Sequence, residues 1–352
     1  MKSVKKKNAV NVRRKDEMRF FRQIFHCIAL LTILAFLPMV LEGCATQRAI
    51  RLRNKSINAW EPKQHNAQQK AQIKTLKPDE KEDVSGEQTV EETYFGLKAP
   101  GLIPELFAPG IVSTDHFEVE GTFSSNIKEF YFLRQRAGEK PKNLFVAYKD
   151  GKWVGPQEIE TSSEGEVFIS SDNKKMYLGN AYRERTDEGW SEMISLGPPF
   201  QDMNIMRLTV SSTDTYVFDE RDEIGTLRYS RVVHGKRQRP IPFGVHINSG
   251  KWTAHPFIAP DESYLIWDSE RKGGFGGADL YISFRQSDDS WGPAVNLGEH
   301  INTEHDDIYG SVTADGKYFV FQRIDMNETN PSANIYWVSA KVIENLNGKN
   351  NK

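Results

Sequence analysis

Five times between residues 101 and 341 the chain writes the same short phrase: an apolar strand, Ser or Ala, any residue, Asp or Asn, a few polar residues, then an apolar-aromatic strand. The phrase reads Phe123-Ser124-Ser125-Asn126 before Phe130-Tyr131-Phe132, and Ile169-Ser170-Ser171-Asp172 before Met176-Tyr177-Leu178. It returns as Val210-Ser211-Ser212-Thr213 before Tyr216-Val217-Phe218, and as Ala259-Pro260-Asp261 before Tyr264-Leu265-Ile266-Trp267. The last copy is Thr313-Ala314-Asp315-Gly316 before Tyr318-Phe319-Val320-Phe321. The anchor residues stand at 126, 172, 213, 261 and 315, so the intervals are 46, 41, 48 and 54 residues. A period of this size constrains the fold more than any single motif does, because each repeat must be one supersecondary unit stacked on its neighbours.

The unit itself is β. Short runs of alternating apolar residues, parted by Asp-Gly-type turns, make hairpins, and the turn Asp accepts from nearby backbone N–H groups. A second strand phrase follows some anchors: Leu144-Phe145-Val146-Ala147-Tyr148, then Trp153-Val154-Gly155-Pro156, and Leu280-Tyr281-Ile282-Ser283-Phe284, then Trp291-Gly292-Pro293. Leu227-Arg228-Tyr229-Ser230 and Ile335-Tyr336-Trp337-Val338 fill the same slot, whereas the second copy has no clear equivalent after Tyr177. Two hairpins give a four-stranded sheet with two apolar faces, which packs face to face around an axis. The period is too long for leucine-rich coils, and the missing helical periodicity excludes armadillo-like arrays.

Residues 101–341, most clearly the stretch from Ala259 to Phe321, resemble the TolB-like propellers, bacterial cousins of the WD-type repeats with a Ser-Pro-Asp-Gly hallmark. The resemblance implies an all-β propeller of four-stranded blades that serves as a non-enzymatic scaffold for protein or ligand contacts in the cell envelope. Pro104-Glu105-Leu106-Phe107 with Ile111-Val112-Ser113-Thr114 matches the segment from Pro293 to Thr303. The N-terminal end therefore supplies the outer part of a repeat, and strands near Ile335–Val342 close the ring with it. This closure favours five blades; six, the number in the family, is the alternative.

Ahead of the repeats lie two segments of different character. Residues 1–43 carry nine Lys/Arg against Asp16, Glu17 and Glu42, a net +6, and residues 24–41 are nearly all apolar. A basic flank before an apolar run marks a signal peptide or signal anchor, with the bulk of the chain outside the cytoplasm. Leu41-Glu42-Gly43-Cys44 resembles a bacterial lipobox, which implies lipid attachment at Cys44 and, with Ala45 following, an outer-membrane destination. The other reading is an uncleaved helix, whose eighteen residues cover about 27 Å, just short of a hydrocarbon core. Residues 44–93 are polar, with scarcely an apolar cluster, and read as a disordered tether. The expected order is thus signal or anchor 1–43, tether 44–93, propeller 94–345 and a disordered tail 346–352. The whole chain is at −2, so the part after residue 43 is at −8, which argues against a nucleic-acid binder.

Chemistry is sparse in the sequence. His300 and His305, with Glu304, Asp306 and Asp307, form the one cluster with metal-ligand character, yet they sit where the repeat calls for turn formers. Arg271-Lys272-Gly273-Gly274-Phe275-Gly276-Gly277 has the glycines of a phosphate loop without its Lys-Ser/Thr and helix, so a hairpin tip is expected. The basic run from His234 to Arg239 reads as a solvated loop. Trp153, Trp190, Trp252 and Trp291 recur in blade phase and are expected to pack. No Gly-x-Ser-x-Gly elbow is present, and no catalytic residue or cofactor is assigned. The expected partner is an envelope protein or glycan. The alternative is a carbohydrate-active hydrolase or lyase with carboxylates in the propeller funnel.

Overall fold

In a computed structural model, the residues described are 93–159, 166–221, 225–325 and 331–350. The signal or anchor segment, nearly all of the tether, and Cys44 lie outside them. Five four-stranded antiparallel sheets follow one another along the chain. Blade 1 comprises Phe117–Phe123, Glu129–Gln135, Lys142–Lys149 and Lys152–Glu158. Blade 2 comprises Val167–Ile169, Lys175–Leu178, Ala181–Thr186 and Ile194–Ser195. Its third strand exists although the sequence hides it: only one face of Ala-Tyr-Arg-Glu-Arg-Thr is sheltered, so the apolar signal is diluted. Blade 3 is Ile205–Val210, Tyr216–Glu220, Thr226–Ser230 and Ile241–Pro242. Blade 4 is Lys251–Ile258, Tyr264–Glu270, Asp279–Phe284 and Val295–Asn296.

Blade 5 draws on both ends of the domain. Asp306–Val312, Tyr318–Asp325 and Ser332–Ser339 come from the C-terminal side, and Glu105–Leu106 adds the outer strand, pairing Glu105 with Trp337 and Leu106 with Tyr336. The fold is the expected β-propeller, and the described residues form five blades.

Each anchor occupies the turn between the first two strands of its blade. Ser124 Oγ donates to Asn126 (2.7 Å), Ser170 Oγ to Asp172 (2.6 Å) and Thr313 Oγ1 to Asp315 (2.8 Å). The residue after every anchor has a positive φ: Ile127, Asn173, Asp214, Glu262 and Gly316. Glycine, Asn173 and Asp214 tolerate this shape, so the turn hydrogen bonds hold a backbone conformation that only Ile127 and Glu262 disfavour. Blade cores interlock through aromatic and branched residues, with Phe218, Ile266, Leu280, Ile282 and Phe319 fully buried between sheets. The C-terminal stretch differs from expectation. A helix runs over Lys341–Asn350, past the expected boundary at 345, because Ile343 is buried and Val342 and Leu346 pack on the same core.

Candidate functional site

The innermost strands bring one residue per blade to the axis at a fixed offset. Glu120, Glu166, Arg207, His255 and Tyr309 each stand six residues before their anchor. Glu120, His255 and Tyr309 have φ of 62°, 48° and 61° and interrupt the register between Val119/Thr122, Ala254/Phe257 and Ile308/Ser311. These are bulges, which leave a backbone N–H unpaired and re-aim a side chain. In each of the three, the second strand of the preceding blade supplies the missing acceptor. Asp219 accepts from the His255 N–H (3.0 Å), Asp268 from the Tyr309 N–H (3.1 Å), and Gln322 from the Glu120 N–H (2.6 Å). Asp219 also accepts from the N–H groups of Met206 and Arg207 in its own blade.

The side chains then reach across the ring. His255 of blade 4 donates through Nδ1 to Asp268 at 2.8 Å, and its Nε2 faces Glu166 of blade 2 at 3.3 Å. Tyr309 of blade 5 donates its hydroxyl to the Val167 carbonyl of blade 2 (3.4 Å), and the Arg207 guanidinium of blade 3 lies 3.6 Å over the Tyr309 ring. Glu166, Arg207, Asp219, Asp268 and Tyr309 are all buried. Burial opposes charge on His255, yet Asp268 and then Glu166 outweigh it and hold the imidazole well above its usual range, which favours its charged form. Burial also opposes charge on Glu166, where His255, with help from Arg207 and Arg221, turns the balance and holds the carboxyl low. For Asp219 and Asp268 burial prevails over His255, and both sit above the ordinary carboxylate range.

Toward the anchor turns the same inner strands line a cavity of about 60 Å³, walled by Phe168, Phe257, Val210, Ile258 and Val312 with Thr122. The axis thus presents two chemistries in sequence, a charged ring and a mostly apolar cup.

The residues singled out in the sequence lie elsewhere. His305 Nδ1 is 3.5 Å from Asp325, while Asp306 accepts from the Ala278 N–H at 2.8 Å. Asp307 is engaged by Thr303 and Arg323. His300 sits in the turn that leads to Ile301. Among the described residues, no group of three His, Cys, Asp or Glu could hold a metal ion. The glycine-rich segment 271–277 is the expected hairpin connection, and Asp279 already accepts from its Phe275 and Gly276 N–H groups, filling with a carboxylate the place a phosphate would need. The basic run forms a small hairpin, Val232–Val233 with Lys236–Arg237, and Arg237 packs over Tyr216 and bonds Asp214.

Trp153 stacks on Phe95, Trp190 donates to Tyr131, and Trp291 packs on Phe243, all as blade-face residues. Trp252 departs from that phase: it lies in an inner strand, with φ 54°.

No family model and no curated protein matches the sequence. Among solved structures, the chain is similar to a GH43_12 protein retrieved from capybara gut metagenome, at 13% identity over 72% of this chain and 55% of that one, with a TM-score of 0.45. It is also similar to TolB from Acinetobacter baumannii (9% identity, 64% of this chain and 57% of that one, TM-score 0.38). A third is the periplasmic gluconolactonase of Pseudomonas aeruginosa (10% identity, 62% and 72%, TM-score 0.36). The chain spans a little over half the length of the first two. The fold assignment rests on the strand pairing described above.

Proposed function

We propose that this chain is a non-enzymatic binding protein of the cell envelope, held at a membrane through its N-terminal segment, whose propeller contacts a protein or glycan partner. The observation that carries the reading is the use to which the axial acids are put. Asp219 and Asp268 are buried, accept bulge N–H groups from the next blade, and so join blade to blade. A carboxylate that must shuttle protons to a substrate needs reach to it; these two are committed to the scaffold. Loops from every blade remain as recognition surface, the usual use of such a ring.

A second reading has its own observation. Glu166, Asp219, Asp268 and His255 converge with displaced ionisation, a pattern that also marks sites of acid–base chemistry. A carbohydrate-active hydrolase or lyase would use such a group. Incubating the purified chain with an envelope glycan panel separates the two. Binding without turnover supports the scaffold reading, and any turnover abolished by Asp219→Asn or Glu166→Gln in a folded protein replaces it with the enzyme.

The membrane tether is tested separately. If Cys44 carries the lipid, Cys44→Ser loses lipid labelling and shifts the protein away from the outer membrane. Unchanged labelling and retention would overturn the lipobox assignment.

A further inference from the structure

Blade 3 carries a charge that the rest of the domain does not. From Ile224 to Pro260 the sequence has six Lys/Arg and no acid, in a chain whose part after residue 43 is at −8. Four of the six, Arg231, Lys236, Arg237 and Arg239, stand in or beside the small hairpin set between the third and outer strands. Arg237 is committed to Asp214, whereas Arg231, Lys236 and Arg239 have no acid partner among the described residues. The hairpin is apolar as well. Val232 and Val233 are 38% and 44% exposed, and Ile241, at the start of the adjoining outer strand, is 50% exposed. Consecutive residues of a strand point to opposite sides, so the two valines leave both faces of the ribbon uncovered. Its position is fixed by Arg237, which bonds the carbonyl and the carboxylate of Asp214 beside the blade 3 anchor. At blade 5 the Tyr94 hydroxyl donates to the anchor Asp315 at 2.7 Å. Anchor turns all join a first strand to a second, so they share one face of the ring. The chain therefore enters the domain on the face that bears the hairpin.

We propose that this hairpin docks on an anionic phospholipid bilayer, with Arg231, Lys236 and Arg239 against the headgroups and Val232 and Val233 at the edge of the acyl region. Cations beside exposed apolar side chains are the chemistry of such an interface, where headgroup attraction and apolar burial add. The proposal rests on the reading that the N-terminal segment holds the chain at a membrane. That tether keeps the hairpin at high effective concentration near the surface, so a contact too weak for a free protein suffices. An acidic protein would satisfy the cations and give the valines no role. The corresponding turns of the other blades carry Asp150 with Lys149, Asp187 with Glu188 and Asp288 with Asp289, so attraction to an anionic surface is local to blade 3.

The test is amide hydrogen exchange on the full chain reconstituted into vesicles of phosphatidylglycerol or of phosphatidylcholine. Amides of the segment from Arg231 to Arg239 are expected to exchange at least about fivefold more slowly on phosphatidylglycerol, the worth of one interfacial cation. The difference should vanish at about 1 M salt, where screening acts within roughly 3 Å. The combined substitution Arg231→Gln, Lys236→Gln and Arg239→Gln should abolish it. If that variant does not fold, Lys236→Gln with Arg239→Gln, both at exposed positions, takes its place and should remove most of the slowing. Equal exchange on the two lipids, or slowing that survives these substitutions, would overturn the proposal. Slowing by added polyglutamate on phosphatidylcholine, with none from phosphatidylglycerol, would also overturn it and assign the hairpin to an acidic protein. Flotation of the same vesicles reads the tether separately. A chain that floats only with phosphatidylglycerol, and not after the triple substitution, defeats the tether and keeps the docking surface. A chain that floats with both lipids and shows no slowing does the reverse.

Discussion

At His255 two carboxylates from different blades share one imidazole, and the consequence is a pH dependence with a definite sign. The folded imidazole titrates well above 6.5, because Asp268 and Glu166 overcome the burial that opposes its charge. A base whose folded value is raised contributes stability that is fully present below its unfolded value and is lost as pH rises through the folded one. The ring is therefore expected to stay locked through neutrality and to loosen in the alkaline range. Urea midpoints measured in pH steps should show an alkaline decline that His255→Gln removes. Asp268→Asn leaves the imidazolium facing Glu166 alone and should cost about 3–5 kcal/mol at pH 7, the range for breaking a buried pair. Glu262 gives the opposite limb. Burial raises it, but Thr213, Thr215 and Ser211, with Arg285, bring its carboxyl down to about 2. A depressed acid stabilises above its unfolded value, near 4.5, and loses that contribution as pH falls toward 2. Glu262→Gln should cost about 1 kcal/mol at pH 7, the worth of a typical hydrogen-bonded group, and nothing at pH 2.

At the scale of the element, the turn and the bulge were unequally legible, for a physical reason. The turn demands a particular chemistry, an oxygen side chain two residues after Ser or Thr, so Asn126, Asp172 and Asp315 recur as letters and could be aligned. The bulge demands only a backbone shape. The axial residue, bulged in three of the blades, is Glu, Glu, Arg, His and Tyr in turn, so no single letter marks it, and only the constant six-residue offset from the anchor would have exposed the ring. Gln322, Asp268 and Asp219 were hidden in the same way, as the first polar letter after an apolar-aromatic run, indistinguishable from an ordinary polar strand end. The C-terminal helix was missed because its apolar residues, Val342, Ile343 and Leu346, are few among polar ones and gain their meaning only against a core made elsewhere. The turns carry a graded prediction. Asp172→Ala should cost about 1 kcal/mol, since it removes the Ser170 and Lys174 N–H contacts of one exposed turn. Asp315→Ala should cost more, because Asp315 also accepts the Tyr94 hydroxyl at 2.7 Å, which ties the N-terminal segment down. Thermal melts of the two variants side by side decide the order.

For the whole molecule, the decisive contact is the one that closes the ring. Blade 5 is complete only when Glu105–Leu106 lies against Ser332–Ser339, and the closure is reinforced on either side. The Phe107 N–H and the Ser113 hydroxyl both bond the Ile335 carbonyl, and the Ser339 N–H bonds the Gly101 carbonyl. Tyr94, Phe107 and Val112 are buried in one cluster with Val320, Ile335 and Trp337, so the first and last parts of the domain share a core. Each such side chain contributes roughly 1.5–3 kcal/mol by burial. Three of them together approach the 5–15 kcal/mol by which a whole domain is stable. A chain starting at Phe117 should therefore lose cooperative unfolding altogether, with Trp337 exposed to solvent. A chain starting at Thr93 retains the entire closure and should unfold in one transition at the urea midpoint of the full-length protein. Tryptophan fluorescence across a urea series reads both outcomes. Equal midpoints for the two truncations would mean that the ring is held by its blade faces alone, and that the N-terminal strand is an ornament on a ring already closed.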